Sequence, residues 1–385
     1  MLNHHDPQVD LLHRMVGLYS PSGQEAELAA LIVSEMNRRG LAANIDEAGN
    51  VVGRWGTLGP TFLLCGHMDT VLGELPVRIE ENKLYGRGAV DAKSSLAAMI
   101  CAAAKLIAEE SPVKLVVAGV VDEEGKGRGI KHLIDKRMGA DYAIFGEPSS
   151  YDSITIAYKG SLHLKLVCKT RGGHSSSPWL SRNAVDEALG IWKELQKIHF
   201  PEEKADSKFY SITSALKEIH GGIPGSIIPE SCSLRIDFRL PPKISPDRLQ
   251  SRVNEITERY LSSHNDVAVS IDIEDQNEPF EAEPNSDLVR GFSWGIRDIA
   301  NRRPILLRKT GTGDMNLFGA VAKIPIITYG PGDSRLDHTP DECVDLEEYK
   351  KTIDILCQGV KRTLQLRNRS GQPASSAPEL RVLSH

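Results

Sequence analysis

The sequence of 385 residues predicts an α/β protein with a mixed, largely parallel sheet flanked by helices and with an inserted ferredoxin-like α+β domain. Strand-like and helical segments alternate over residues 6–158 and again after about residue 275, and this alternation favours a parallel sheet. Between residues 159 and 274 the order changes to strand, helix, strand, strand, helix, strand, which is the ferredoxin-like order. We therefore expect a main domain from residues 1–158 and 275–367, and an insertion at 159–274.

The composition is that of a globular protein, with 40% hydrophobic and 25% charged residues. The formal net charge of -6 argues against a nucleic-acid-binding protein, which would usually be basic. The six cysteines form no C-x-x-C pair and predict buried thiols in a reducing compartment. The N-terminus lacks a basic start and an apolar core, and no apolar run reaches the roughly 20 residues that span a bilayer. We expect a cytoplasmic protein with a disordered tail at residues 368–385.

Apolar periodicity predicts the elements of the main domain. The helix over residues 23–39 follows Ser22-Gly23-Gln24-Glu25, an S-x-x-E pattern typical of a capping box. The other predicted helices span residues 6–18, 93–110, 129–138, 286–300 and 346–366. The predicted strands span residues 42–45, 51–55, 61–65, 114–121, 142–145, 305–307 and 324–329, with a hairpin at 77–86 and loops at 309–316 and 330–341.

The insertion has its own set of predicted elements. Strand-like segments lie at residues 161–169, 210–219, 232–240 and 267–273. Helical segments lie at residues 183–198 and 246–261. Two helices can cover one face of a four-stranded sheet, so this segment is long enough to form a small domain.

Several predicted strands end in an acid or a histidine. His67 follows one apolar run, Glu123 and Glu124 follow a second, and Glu147 follows a third. Asp91 lies on the loop that enters a helix. Because the carboxyl ends of parallel strands meet at one edge of a sheet, we expect these side chains to lie close together.

With His338 near the end of the chain, the candidate ligands are two histidines and three carboxylates. They are His67, Asp91, Glu124, Glu147 and His338. This set suits two divalent metal ions that share one carboxylate. A mixed nitrogen and oxygen set without cysteine favours Zn²⁺, or Co²⁺ and Mn²⁺ as substitutes, over Ca²⁺ or Mg²⁺. Asp69, two residues after His67, can accept the other ring N–H and fix its tautomer.

Glu123 is the candidate general base. Adjacent residues of an extended chain point in opposite directions, so Glu124 can bind metal while Glu123 faces the water between the metals. The alternative is that Asp122-Glu123-Glu124 forms a solvated acidic turn. The apolar strand before it favours the site.

Four motifs together resemble the dinuclear zinc deacylase and peptidase family, which includes glutamate carboxypeptidase, succinyl-diaminopimelate desuccinylase and acetylornithine deacetylase. They are Gly66-His67-Met68-Asp69-Thr70, residues 85–93 (YGRGAVDAK), Asp122-Glu123-Glu124-Gly125 and Gly146-Glu147-Pro148. The resemblance runs from about residue 6 to 366. It implies that Asp91 bridges two metals, with a cis peptide bond after it. It also implies the remaining roles: His67 and Glu147 on one metal, Glu124 and His338 on the second, Glu123 as base, and Asp69 as the partner of His67.

The resemblance further implies that the insertion is a lid through which a homodimer forms. His174 would stabilise the oxyanion, often across the dimer, although a loop histidine that caps the helix beyond Pro178 is the alternative. Arg239 would bind a substrate carboxylate, although it could simply pair with Asp237. Three further positions are predicted to bind substrate. These are Gly311 and Thr312 in a pocket loop, and Ser226, where many relatives have an asparagine.

Within the family, four segments are most similar to the branch that releases lysine or ornithine from the amino-group carrier protein LysW, in lysine and arginine biosynthesis. They are residues 75–80, 85–93, 154–160 and 310–316. An acidic carrier should meet a basic surface. Residues 159–182 hold Lys159, Lys165, Lys169, Arg171 and Arg182 and no acid, and residues 302–309 form a second basic cluster. Either cluster could instead be an ordinary solvated face.

Other functions remain open from the sequence. A small-substrate deacylase or dipeptidase of the same family would use the same metal ligands. A dinucleotide- or phosphate-binding module is weakly suggested by residues 125–129 (GKGRG), but their spacing is not G-x-G-x-x-G, no G-x-x-x-x-G-K-[ST] occurs, and two glutamates precede them. A metal-free binding scaffold is disfavoured by the full ligand set.

Overall fold

A computed structural model describes residues 6–204 and 206–369, which divide into two compact units. The first takes in the described parts of Met1–Ala157, Ala282–Arg308 and Gly313–His385. The second comprises Tyr158–Glu281 and Lys309–Thr312. The second unit is therefore longer than the predicted insertion. Its last strand continues beyond residue 274, and the Lys159 backbone N–H donates to the Lys309 carbonyl oxygen (3.1 Å), which holds residues 309–312 in this unit.

The helices of the described residues are α1 (Pro7–Gly17), α2 (Ala26–Arg38), α3 (Lys93–Ala108), α4 (Arg128–Asp135), α5 (Ala184–Leu195), α6 (Pro246–Leu261), α7 (Asp287–Ala300), α8 (Asp314–Val321) and α9 (Leu346–Arg369), with a short 3₁₀ helix at Pro178–Leu180. The strands are β1 (Ala42–Ile45), β2 (Val51–Trp55), β3 (Thr61–His67), β4 (Arg78–Glu80), β5 (Lys83–Tyr85), β6 (Lys114–Val120), β7 (Tyr142–Gly146), β8 (Ser153–Tyr158), β9 (Gly160–Lys169), β10 (Gly173–His174), β11 (Thr213–Gly221), β12 (Ile227–Ile228), β13 (Ser231–Leu240), β14 (Ala268–Asn277), β15 (Phe280–Glu281), β16 (Ile305–Lys309), β17 (Ile326–Thr328) and β18 (Cys343–Asp345).

The first unit is built on one mixed sheet in the order β1-β2-β6-β3-β7-β17-β8, with β16 beside β8. The pairings β6–β3, β3–β7 and β7–β17 are parallel, whereas β2–β6 and β17–β8 are antiparallel. All seven residues of β3 are buried, as expected for a central strand with helices on both faces. The predicted α/β class is confirmed.

A row of glycines brings α3 close to this sheet. Gly66 in β3 is in register with Gly119 in β6 and with Gly146 in β7. A Cβ on Gly66 would lie 3.2 Å from the Cβ of Leu96 in α3, and one on Gly146 would lie 3.0 Å from the Cβ of Ser95. The first turn of α3 therefore packs directly on the strand ends, one residue before His67 and Glu147.

The second unit contains an antiparallel sheet in the order β11-β13-β9-β14. Its elements follow in the order β9-α5-β11-β13-α6-β14, which is the predicted ferredoxin-like arrangement. Alternate residues of β9 and β13, such as Leu164 and Ile236, form one buried core with Ile191 of α5 and Val253 of α6. One face of the sheet is thereby covered by the two helices.

The predicted capping box is wrong. The helix α2 begins at Ala26, and no side chain caps its first turn. The Ser22 hydroxyl donates to Asp69 Oδ2 (2.7 Å), and Glu25 Oε1 accepts from the Gly23 and Asp122 backbone N–H groups (2.9 and 3.2 Å). Both side chains are thus bonded to loops rather than to the start of the helix.

Other elements differ from prediction in their boundaries or were not predicted at all. The predicted loop at 309–316 contains the start of α8, and the strands β8 and β18 were not predicted. The helix α9 extends to Arg369, and the remainder of the predicted tail lies outside the described residues. Among the described residues, no helix has the length and apolar character needed to cross a membrane.

The glycine row gives a stability prediction. We expect Gly66→Ala to lower the free energy of unfolding by about 1–3 kcal/mol, because the new methyl group forces Leu96 away from the sheet. Gly17→Ala is the matched control, since a Cβ there meets nothing within 4 Å, and it should be neutral or stabilising by up to about 1 kcal/mol. Urea unfolding monitored by circular dichroism measures both. Equal stability of the two variants would contradict the proposed close packing.

Candidate metal centre

Five side chains of the first unit converge in two groups that share Asp91. The first group is His67, Asp91 and Glu147, and the second is Asp91, Glu124 and His338. Asp91 Oδ1 lies 3.0 Å from His67 Nε2, and Asp91 Oδ2 lies 3.1 Å from His338 Nε2. His67 Nε2 is 3.7 Å from Glu147 Oε1, and His338 Nε2 is 2.9 Å from Glu124 Oε1. One carboxylate therefore directs its two oxygens into two separate sets of ligand atoms.

The fold places three of these residues at or near the end of an element and the other two, Glu124 and His338, in loops. His67 is the last residue of β3, Glu147 directly follows β7, and Asp91 stands two residues before α3. The Asp91–Ala92 peptide bond is cis, as the resemblance implied. His338 lies between β17 and β18 with a left-handed φ of 61°. The five candidate ligands are thus brought together as the sequence predicted.

Asp69 differs from prediction in how it contacts His67. The His67 Nδ1–H donates to the backbone carbonyl oxygen of Asp69 (2.9 Å), whereas the Asp69 Oδ1 atom lies 3.7 Å from Nδ1. This bond leaves Nε2 as the ring atom that faces Asp91 and Glu147. The tautomer of His67 is fixed by Asp69, but through its main chain.

The carboxylate of Asp69 holds a different part of the site. Oδ1 accepts the backbone N–H of Glu123 (3.0 Å), and Oδ2 accepts that of Glu124 (3.0 Å) and the Ser22 hydroxyl (2.7 Å). Asp69 is fully buried. Charge-assisted bonds of this kind are stronger than neutral ones, so the turn that carries both glutamates is fixed to the end of β3.

The argument that placed Glu123 and Glu124 on opposite sides of an extended strand is wrong. The strand β6 ends at Val120, Asp122 has a left-handed φ of 63°, and the Gly127 N–H donates to the Asp122 carbonyl oxygen (2.7 Å). The two glutamates therefore lie in a turn. Neither residue is exposed, and the Glu124 side chain is only 11% exposed, so the turn is not a solvated one.

The electrostatics of the site favour positive charge between the ligands. Burial lowers the pKa of His67, but the hydrogen bond with Asp91 and the charge of Glu147 outweigh it and hold that pKa well above its ordinary value. The hydrogen bond with Asp91 and the charge of Glu124 raise the pKa of His338 to about 9. Burial, with the charge of Glu147, raises the pKa of Glu123 well above its usual range.

The donor set fits two divalent cations. Imidazole nitrogens and carboxylate oxygens suit Zn²⁺ and its neighbours, and each group offers one histidine, one unshared carboxylate and one oxygen of the shared Asp91. Buried negative charges require compensation, which a cation held by each group would supply.

The remaining predicted site residues belong to the second unit. His174 is exposed in β10, and its Nδ1 accepts the Ser176 backbone N–H (3.2 Å). Arg239 donates to Asp237 Oδ2 (3.1 Å), which is the ion pair weighed as the alternative to substrate binding. Ser226 is exposed and its carbonyl oxygen accepts the Ser175 N–H (3.1 Å). Gly311 and Thr312 lie in the Lys309–Thr312 segment.

Sequence reasoning gave no role in the site to three residues that support it: Ser22, Arg87 and Glu342. Ser22 bonds to Asp69, Glu342 bonds to the main chain of Asp91, and Arg87 bonds to Glu342 and to Thr339 beside His338. Arg87 is part of the quoted Gly86-Arg87-Gly88 motif, and Glu342 precedes the unpredicted strand β18. Both are buried and form an ion pair (2.8 Å). The sequence signals were Arg87 between two motif glycines and Glu342 in the pair Asp341-Glu342, and neither distinguishes a buried side chain from an exposed one.

Comparison with known proteins identifies the family. The model of peptidase family M20/M25/M40 matches residues 63–362, which is more than half of the chain. The chain belongs to peptidase family M20/M25/M40. The match covers all five candidate ligands.

Members of this family with similar sequences carry related names. A Thermococcus kodakarensis protein, provisionally named a LysW-lysine/LysW-ornithine hydrolase, is 35% identical over 384 residues and covers 98% of each chain. The LysW-lysine hydrolase of Deinococcus radiodurans is 32% identical over 92% of this chain and 95% of its own. Among solved structures, aminopeptidase PepT from Bacillus cereus superposes with a TM-score of 0.80 at 19% identity, over 93% of this chain and 98% of its own. At that identity, PepT shows only that the M20 fold is shared.

The Asp69 contacts predict the effect of removing its charge. Asp69→Asn keeps one acceptor oxygen but places an NH₂ group against a backbone N–H of the glutamate turn. We expect a loss of about 1–3 kcal/mol in the free energy of unfolding from that unpaired N–H, and about 1 kcal/mol for Ser22→Ala. Urea unfolding measures both. Asp10→Asn, on an exposed side chain of α1, is the control, and an Asp69→Asn protein as stable as this control would refute the role.

Proposed function

We propose that this M20 protein is a dinuclear metal-dependent amide hydrolase that releases lysine or ornithine from the carrier protein LysW. The observation that carries the proposal is Asp91, whose two oxygens face two separate histidine and carboxylate groups. The names of relatives at 32–35% identity, which cover nearly the whole chain, support the carrier-bound substrate. The bond cleaved would be the isopeptide bond between the amino acid and the carrier.

We propose Zn²⁺ as the resident metal, with Co²⁺ as a substitute. His67, Asp91 and Glu147 would hold one ion, and Asp91, Glu124 and His338 the other. When bound, two such ions lower the pKa of a water between them and stabilise negative charge that develops on the substrate carbonyl oxygen.

Glu123 would act as the general base and then as the general acid. It belongs to neither ligand group, and burial raises the pKa of its carboxyl group. The backbone N–H of Glu123 donates to Asp69 Oδ1, so the main chain from which the Glu123 side chain extends is fixed in position. Glu123 would take a proton from the attacking water and pass it to the leaving amine as the C–N bond breaks.

The second unit would serve as a lid through which a homodimer forms. His174 Nδ1 accepts the Ser176 N–H, so the proton of the neutral ring resides on Nε2. That N–H could then donate to the oxyanion. Sedimentation of the purified protein at the 42.2 kDa of one chain would contradict the dimer.

The predicted basic surface is smaller than the sequence suggested. Lys159 is fully buried and donates to Thr213 Oγ1 (3.2 Å), and Arg182 pairs with Glu187 (2.7 Å). Lys169 and Arg171 are exposed. Arg302 and Arg303 of the second predicted cluster are exposed as well. Lys169, Arg171, Arg302 and Arg303 are therefore the best candidates to meet an acidic carrier, with Arg239, Ser226, Gly311 and Thr312 as the proposed substrate contacts.

Substitution of the base tests the mechanism. We expect Glu123→Gln to bind two metal ions but to lose about 10²–10⁴-fold in kcat, because the amide cannot accept the proton of water. Metal content by mass spectrometry and turnover of carrier-linked lysine are the measurements. Glu27→Gln, on an exposed position of α2, should change neither. Near-normal turnover of a Glu123→Gln protein that holds two metals would rule out this role.

A substrate panel tests the carrier hypothesis. We expect carrier-linked lysine or ornithine to exceed N-acetylornithine and succinyl-diaminopimelate in kcat/KM by at least about tenfold, or about 1.4 kcal/mol, because the carrier adds contacts that small substrates lack. The double variant Lys169→Glu/Arg171→Glu should reduce this advantage without affecting the small substrates. A preference for a small acyl substrate would instead make the protein a small-substrate deacylase.

A further inference from the structure

A buried ion pair links the two sides of the candidate metal centre. Arg87 and Glu342 are 8% and 1% exposed, and Arg87 Nη1 donates to Glu342 Oε2 (2.8 Å). They are 255 residues apart in sequence. Each also contacts the main chain of a loop that carries a metal-ligand candidate.

Glu342 holds the main chain at the shared ligand. Its Oε1 atom accepts the backbone N–H groups of Val90 (3.0 Å) and Asp91 (3.2 Å). The Glu342 carbonyl oxygen accepts the Gly86 N–H (3.2 Å), so the loop is held at both of its ends. The position of the Asp91 carboxylate is therefore tied to Glu342.

Arg87 holds two other loops of the site, one after His67 and Asp69 and one after His338. Its Nη1 atom donates to the carbonyl oxygen of Thr339 (3.3 Å), the residue next to His338. Its Nε atom donates to the carbonyl oxygen of Gly73 (2.9 Å), in the loop that follows His67 and Asp69. A planar guanidinium can make these bonds together, whereas a lysine ammonium cannot reach three separate acceptors in fixed directions.

We propose that Arg87 and Glu342 are positioning residues that set the spacing between the two metal sites. This inference rests on the proposed dinuclear function, and it names the residues that hold the two metal sites together. Neither side chain is among the ligands. Glu342 holds Asp91 through its backbone N–H, and Arg87 holds the loop of His338 through Thr339. The Arg87–Glu342 ion pair joins these two contacts. Removing either partner frees one ligand loop and leaves the other partner with an unpaired buried charge.

The test is metal affinity, which a purely structural ion pair would not affect. Chelator-treated protein is titrated with Co²⁺ and followed by calorimetry and by visible absorption at each equivalent. We expect the wild type to bind two equivalents. In Glu342→Gln and Arg87→Met, the affinity for the second equivalent should fall about 10–100-fold, as for other residues that orient metal ligands, and its absorption band should change.

The matched control is another buried ion pair of the first unit. Arg367 Nη1 lies 3.2 Å from Asp141 Oδ1, and both side chains are about 10% exposed or less. Asp141→Asn and Arg367→Met should leave both Co²⁺ affinities within about threefold of the wild type. If Glu342→Gln does not fold, as judged by circular dichroism, Arg87→Lys carries the test, because it keeps the charge and should show an intermediate loss of affinity.

Two results overturn the proposal alone. The first is that Arg87→Met and Glu342→Gln both bind two equivalents of Co²⁺ with the affinities of the wild type. The second is that the Asp141→Asn and Arg367→Met controls lose as much Co²⁺ affinity as these variants do. A wild-type protein that binds fewer than two equivalents would overturn the dinuclear function as well. The wild-type titration therefore separates failure of the positioning role from failure of the metal centre.

Discussion

The candidate site depends first on the buried carboxylate of Asp69. It accepts one backbone N–H from each of Glu123 and Glu124, while the carbonyl oxygen of the same residue fixes the ring of His67. A single residue at the end of β3 thus sets the direction of a metal ligand and the position of the turn after β6. Because these hydrogen bonds are buried, water does not compete for them, and they are stronger than they would be at the surface.

A second constraint acts through the packing of the sheet. The glycines at residues 66, 119 and 146 let the first turn of α3 rest on the ends of three parallel strands. Since Asp91 stands two residues before α3, the same close approach brings it to His67 and Glu147. The position of Asp91 is then fixed both by the packing of α3 and by the bond from its backbone N–H to Glu342.

Most of the ligand set could be predicted from sequence because strand ends are local features. An apolar run that stops at His67 or Glu147 identifies the strand and its end together, and parallel strands meet at one edge. The hydrogen-bond partners could not be predicted in the same way. Ser22 satisfies a local capping pattern, yet its hydroxyl donates to the carboxylate of Asp69, 47 residues away in sequence. Lys159 likewise belongs to a basic stretch but is fully buried.

The proposed division of labour between Glu123 and Glu124 has a physical basis that is independent of family resemblance. Both main chains are held by Asp69, so the side chains differ only in what surrounds them. Glu124 Oε1 lies 2.9 Å from His338 Nε2, and that histidine and His67 counter part of the rise in its pKa that burial and Asp91 cause. Burial and the charges of Glu147 and Asp314 raise the pKa of Glu123 well above its usual range, although the charge of His67 opposes them. Glu124, which lies beside His338, is therefore suited to bind a cation, and Glu123 is suited to carry a proton.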